Sequence, residues 1–192
     1  MSIDWALFKL ANGLAGRSPI LDTAIQMLMN DYALTTAMVL LLFTLWFSGS
    51  TLEARERNQR AVLTAIAAVL LANLIVKACN LIFYRPRPFA YHSVTLLFYH
   101  PSDSSFPSNA ATVGFCFAAS IWRFNRKVGI VLYVLACLLA LARVCGGVHY
   151  PSDILGGLLV GTFSAWLVTT KFDFLNRLWT MIIHQLRRVL LA

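Results

Sequence analysis

Long apolar runs separated by short polar turns set the plan of this chain. The clearest are Tyr32 to Phe47, Ala61 to Phe83, Val128 to Ala142 and Pro151 to Lys171, and another opens at Pro107 and Ser108 and reaches Trp122. Each approaches the roughly 20 residues that a helix needs to cross the apolar layer of a bilayer. Ahead of them, residues 2 to 14 carry Trp5, Phe8 and leucines on one side but are too short and too polar to span. Gly16 to Pro19 break that helix, and Leu21 to Asn30 form a second short one. Beyond Asp173, apolar residues at 175, 178, 179, 182, 183, 186, 189 and 190 recur at helical spacing, with Arg177, Arg187 and Arg188 on the polar side. TLEARERNQR at 51–60 and RFNRK at 123–127 read as charged turns, Ala90 to Phe106 as a loop, and Gly146-Gly147 as a turn. The pattern predicts an all-α polytopic membrane bundle with about five to six spans. It forms one membrane-embedded domain over 1–192, with interfacial helices in 1–30, a spanning core over 31–171 and an amphipathic cytoplasmic helix over 173–192.

Composition agrees with a membrane protein: 59% of the 192 residues are hydrophobic and 12% are charged. The formal charge of +8 then belongs to loops rather than to a nucleic-acid partner, since no basic-aromatic module of that kind is present. Arg55, Arg57, Arg60, Arg123, Arg126 and Lys127 lie in two of the turns, and Lys171, Arg177, Arg187 and Arg188 in the tail. With five spans these regions share one side, and the positive-inside rule makes that side the cytoplasm. Trp5, Trp122 and Trp179 read as interface anchors. The four cysteines, Cys79, Cys116, Cys137 and Cys145, show no paired spacing and read as buried inert thiols. Asp4 and the absence of a basic n-region argue against a removable signal peptide.

Three polar stretches fall on the side opposite the basic turns: RPRPF at 85–89, FPSNA at 106–110 and RVCGGVHYPSD at 143–153. Ionisable residues at the ends of apolar segments are costly to keep without a task. His149 and Asp153 are four apart, so the carboxylate is expected to reach one ring nitrogen and leave the other free to attack or to accept a proton. Arg143 and Arg87 offer planar forks of donors suited to phosphate, and the helix start at Ser108 and Asn109 offers backbone amides. Ser108 is equally well explained as a plain N-cap. No cluster of carboxylates or histidines at ligand spacing points to a metal, and no cofactor is implied.

Arg143, His149 and Asp153, Arg87-Pro88, and Pro107-Ser108 together resemble the three signature motifs of the type-2 phosphatidic acid phosphatase superfamily. RPRPF and the N-terminal ANGLAGRSPILD most resemble its bacterial bacitracin-resistance type, the undecaprenyl diphosphate phosphatases. The resemblance implies that His149 carries a phosphohistidine, that Asp153 orients its ring, and that Arg87, Ser108, Asn109 and Arg143 hold phosphate. It also implies that the substrate is a polyprenyl diphosphate at the outer face of the bacterial cytoplasmic membrane, hydrolysed to recycle the lipid carrier of cell-wall synthesis. Other expected contacts are membrane lipids; the oligomeric state stays open. Two positions depart from the family. Its first-motif lysine is Asn80 here, with Lys77 one turn away either as a substitute or as a snorkelling side chain. Its general-acid histidine is Ala110, which has no proton to give. Three accounts of Ala110 stand: an engineered inactivating change, favoured because the other catalytic groups are kept; a natural non-catalytic relative; or a substitute acid elsewhere. Rival functions are phosphatidylglycerol phosphate or phosphatidate hydrolysis, and binding or transport of lipid phosphates without chemistry.

Overall fold

A computed structural model describes residues 3–172 and 174–188, all of its regular structure being helical. Asp173, Val189 and Leu190 of the expected C-terminal helix lie outside the described residues, as does residue 2 of the first. The helices are α1 (Ile3–Asn12), α2 (Pro19–Met29), α3 (Ala33–Phe47), α4 (Leu52–Ile82), α5 (Pro88–Tyr91), α6 (Asn109–Trp122), α7 (Arg126–Cys145), α8 (Pro151–Lys171) and α9 (Phe174–Arg188).

Local chemistry sets several boundaries. Ser18, Thr51 and Asn125 cap α2, α4 and α7 through their side-chain oxygens, and Pro19, Pro88 and Pro151 occupy first turns, where a missing N–H costs nothing. TLEARERNQR is a correction to the expected turn. Thr51 caps this stretch, its remaining residues are good helix formers, and from Leu52 it makes the first turns of the 31-residue α4. The charge found there belongs to the start of a long helix, not to a break between two.

Three helices, α4, α7 and α8, are long and apolar enough to cross a membrane, and α2 with α3 forms a fourth such unit bent by 48°. Of the five spans read from the apolar runs, the one missing from these four is α6. The α2 segment, read as interfacial, passes only jointly with α3, and α6 has 14 residues, about 21 Å of helix. Yet α6 is the centre of the bundle, packed against α8, α7 and α4. Gly157 and Gly161 of α8 allow this approach. A Cβ at Gly157 would stand 2.7 Å from the Ser108 carbonyl oxygen, and one at Gly161 would collide with that of Thr112. Around α6 lies a core that includes Met38, Leu42, Ala65, Phe115, Ile121, Leu132 and Leu139.

At the far end of the molecule α9 lies against α4, with Arg60 bonded to the Asn176 carbonyl and the Thr180 hydroxyl. Its strongly one-sided apolar face buries Trp179 and Ile183 against the protein. Trp179 is therefore a core residue and not the expected membrane anchor. Cys116 is buried as expected, whereas Cys137 is exposed on α7.

Candidate active site

Alternating helices bring one end of each of α3, α4, α6, α7 and α8 to the same end of the bundle. Arg87 follows α4, Asn109 starts α6, Arg143 ends α7 and His149 precedes α8. Gly147, at φ 86°, turns the chain sharply between Arg143 and His149. A cavity of about 350 Å³ opens there, lined by Arg87, Asn109, Ala110, Arg143 and His149, together with Asp31, Tyr32, Tyr99 and Asp103. Three sequence motifs, far apart along the chain, thus meet in one cavity.

His149 is almost fully buried, and its two ring nitrogens have different neighbours. Nδ1 lies 3.0 Å from the Ser105 carbonyl oxygen, which can only accept, so Nδ1 carries the hydrogen. The neutral ring then presents a lone pair at Nε2, and the group 3.3 Å from it is Arg87 Nη1, which can only donate. The two contacts specify the same tautomer. Burial lowers the pKa of this imidazole, and Arg87 and Arg143 push the same way against Asp153. The ring is held neutral with its nucleophilic nitrogen beside a guanidinium.

Asp153 does not hydrogen-bond the ring as its spacing suggested. Its Oδ2 stays 3.7 Å from Nδ1, because the carboxylate is already engaged. It accepts from the Tyr150 amide (2.8 Å), the Ser105 hydroxyl (2.5 Å) and Arg85 Nη1 (2.6 Å). Ser105 is the link, its carbonyl orienting the histidine while its hydroxyl binds the aspartate. Arg85 also reaches the Ser152 hydroxyl and Asp4, whose carboxylate accepts from the Ser152 amide and hydroxyl. Burial by itself would raise the Asp4 carboxyl, but the bonds from Ser152 and Arg85 outweigh it and hold it below its ordinary value. The amphipathic α1 is in this way tied to the start of α8.

Both cavity arginines are anchored. Arg87 donates to the Asp103 carboxylate (2.8 Å), the Asp103 carbonyl and the Val148 carbonyl. Arg143 pairs with Asp31 and lies over the Phe98 ring, 4.8 Å from its centroid. The Tyr99 hydroxyl donates to Asp31 as well, and burial followed by that carboxylate raises the Tyr99 pKa. Nε of Arg143 is buried without a hydrogen-bond partner in the protein, a donor still to be satisfied.

Other expected site residues fall elsewhere. Ser108 precedes α6 as expected, but its hydroxyl neither caps the helix nor lines the cavity. It is fully buried and unpartnered, and the Ser108 amide donates to the Asp153 carbonyl. Lys77 is exposed on α4 and lies outside the cavity lining. The remaining histidines of this end also lie outside the lining, His92 stacked on Trp5 and His100 against the edge of Phe89. The residues missed were Asp4, Asp31, Asp103 and Ser105. Asp103 and Ser105 sit just before the FPSNA motif and were legible as polar neighbours of it, whereas nothing local marks Asp4 or Asp31.

Comparison with known proteins gives the same picture. The undecaprenyl-diphosphatase BcrC of Bacillus subtilis is 31% identical over 97% of this chain and 96% of its own length. A putative undecaprenyl-diphosphatase of Escherichia coli, YbjG, is 35% identical over 83% of this chain and 78% of its own. The crystal structure of Aquifex aeolicus LpxE superposes with a TM-score of 0.68 at 26% identity, covering 88% of this chain and 96% of that one. With residues 61–177 matching the family model and the motif residues gathered around one cavity, the chain belongs to the PAP2 superfamily.

Proposed function

We propose that this chain is a lipid diphosphate phosphatase acting on undecaprenyl diphosphate. In this reading it works at the outer face of the bacterial cytoplasmic membrane and is slowed by alanine at position 110. The observation that carries the reading is the His149 geometry: a buried neutral imidazole with Nε2 directed at Arg87, in a cavity that also holds Arg143 and the start of α6. The undecaprenyl-diphosphatase relatives support the substrate. The outward face rests on Arg57, Arg126 and the basic tail lying at the other end of the helices.

The reaction begins as Nε2 of His149 forms a bond to the terminal phosphorus. The bond from that phosphorus to the bridging oxygen breaks, and the lipid monophosphate leaves with the electron pair. Arg87, Arg143 and the Asn109 amide stabilise the charge spreading over the non-bridging oxygens. The ring becomes cationic on phosphorylation, and the Ser105 carbonyl and the nearby Asp153 carboxylate balance it. Water then attacks the phosphohistidine, the phosphorus–nitrogen bond breaks, and inorganic phosphate is released.

Ala110 lines the cavity where the family keeps an acid for the leaving oxygen. A lipid monophosphate leaving group has a second pKa of about 6 by analogy with phosphorylated side chains, so it departs with little help. The alkoxide of a monoester does not. The chain is therefore expected to retain a trace of diphosphatase activity and to lack monoesterase activity. Ala110→His is expected to raise the rate by about 10² to 10⁴, more for the monoester. Phosphate release from polyprenyl diphosphate and monophosphate in both proteins tests this. No release from either substrate by the Ala110→His protein would instead favour a lipid-phosphate binder without chemistry, the reading that Ala110 by itself suggests.

A further inference from the structure

The end of the bundle opposite His149 carries a second cavity, of about 520 Å³, lined among others by Trp122, Arg123, Arg126, Thr162, Trp166 and Thr169. It lies between the last turn of α6, the first turn of α7 and the later half of α8. Among the described residues neither Arg123 nor Arg126 has an ion pair or a side-chain hydrogen bond. This sets them apart from Arg60 and Arg187, which share Glu56 at the same end of the molecule. Trp122 also walls a neighbouring cavity of about 590 Å³, whose other lining residues are Ile130, Tyr133, Val134, Cys137 and Leu138 of α7. Gly129 makes this arrangement possible. Its missing Cβ lets α7 press on the Trp122 backbone, where a Cβ would stand 2.6 Å from Trp122 Cα, and the indole turns outward against the edge of Tyr133. Two cations without a partner among the described residues thus line a cavity that shares Trp122 with an apolar trough along α7, a helix long and apolar enough to cross a membrane.

We propose that this is a binding site for one anionic phospholipid, with its phosphate between Arg123 and Arg126 and an acyl chain along α7 past Trp122. Charge selects the headgroup and the trough selects a ligand with a tail. A free phosphate satisfies the arginines but not Val134 and Leu138, and a zwitterionic lipid satisfies the trough but brings a cation to the arginines. Trp122 and Trp166, both about half exposed, have the amphipathic rings suited to the boundary between the two environments. The site lies one α7 length from the His149 cavity, about 30 Å, and so belongs to the other leaflet.

The full chain in detergent, titrated with phosphatidylglycerol or phosphatidylcholine and followed by native mass spectrometry, tests this. Each titration is repeated in an Arg143→Ala background, so that binding at the His149 cavity is counted separately. One phosphatidylglycerol is expected to bind in preference to phosphatidylcholine. Its affinity should fall about fivefold in Arg123→Ala or Arg126→Ala and about 25-fold in the double variant. The Arg123→Lys, Arg126→Lys double variant should keep most of it. Val134→Trp, which fills the trough and leaves charge alone, should weaken phosphatidylglycerol without changing inorganic phosphate. Equal binding of the two lipids, or undiminished binding in the double alanine variant, overturns the proposal. Displacement of the lipid by millimolar inorganic phosphate would identify a soluble-anion site instead.

Discussion

Three arginines at the catalytic end and two at the other end are treated in opposite ways by the fold. Arg85, Arg87 and Arg143 each meet a carboxylate, respectively Asp4 with Asp153, Asp103, and Asp31. Arg123 and Arg126 meet none among the described residues. Pairing at the first end fixes each guanidinium before substrate arrives, so the cost of ordering long side chains is met on folding rather than in the reaction. The second pair, with no carboxylate beside it among the described residues, keeps its charge available to a ligand from outside the protein. An arginine count alone is therefore a poor guide to function, and a partner counts only with its burial, since Arg60 and Arg187 also share a carboxylate, Glu56, at the partly exposed far end.

The sharpest way to break this comparison is at His149. In the Ala110→His background, His149→Ala is expected to abolish phosphate release, because no other group receives the phosphoryl. Turnover surviving at an unchanged rate would mean that the carboxylate-anchored end is not where the chemistry happens. Next comes Arg85→Ala, which leaves the fully buried Asp153 without its cation. Breaking a buried pair costs several kcal/mol, and about 3 kcal/mol is expected here because Arg85 keeps some contact with water. Thermal unfolding in detergent measures the loss, and an unshifted transition would show that Ser105 and the Tyr150 amide suffice for Asp153.

A smaller effect is expected from pH. The His149 pKa is lowered, so a proton is added only below the ordinary imidazole value of about 6.5, and the reactive neutral ring persists to that lower pH. The acid limb of kcat/KM on the diphosphate should accordingly fall below pH ~6.5 when Ala110 is in place and no second histidine titrates in the cavity. Asp153 opposes the lowering, so Asp153→Asn should move the limb further down. A limb above the ordinary value would contradict the neutral histidine. The smallest effect belongs to Glu56, whose pairs with Arg60 and Arg187 are partly exposed. Glu56→Gln should cost under about 1 kcal/mol by the same unfolding measurement, and a larger loss would show that α9 depends on that carboxylate.

The helical class and the motif residues of the cavity were legible because apolar runs and isolated ionisable residues are local signals. His149, Arg87, Arg143, Asn109 and Ala110 converge for a reason that span counting captures: alternate ends of consecutive helices face the same way. What holds them in place was not legible. Asp4 lies 148 residues from Ser152, and Asp31 lies 112 from Arg143, so no spacing rule relates them. Asp153 shows the opposite hazard, since helical spacing predicted a bond to His149 that Ser105, from a loop with no regular period, makes instead. Lys77 stays outside the lining, since proximity along α4 to Asn80 does not place a side chain on the face that meets the cavity.

The shortness of α6 gives the catalytic cavity a depth. Ser108, just before its first turn, packs against Gly157, six residues into α8, so α6 starts about 9 Å along α8 from the first residue of that longer neighbour. His149, which precedes α8, and Asn109, which starts α6, therefore line one cavity from two different levels along the bundle. The offset between two helix starts, and not a loop, spaces the groups of this site along the bundle axis.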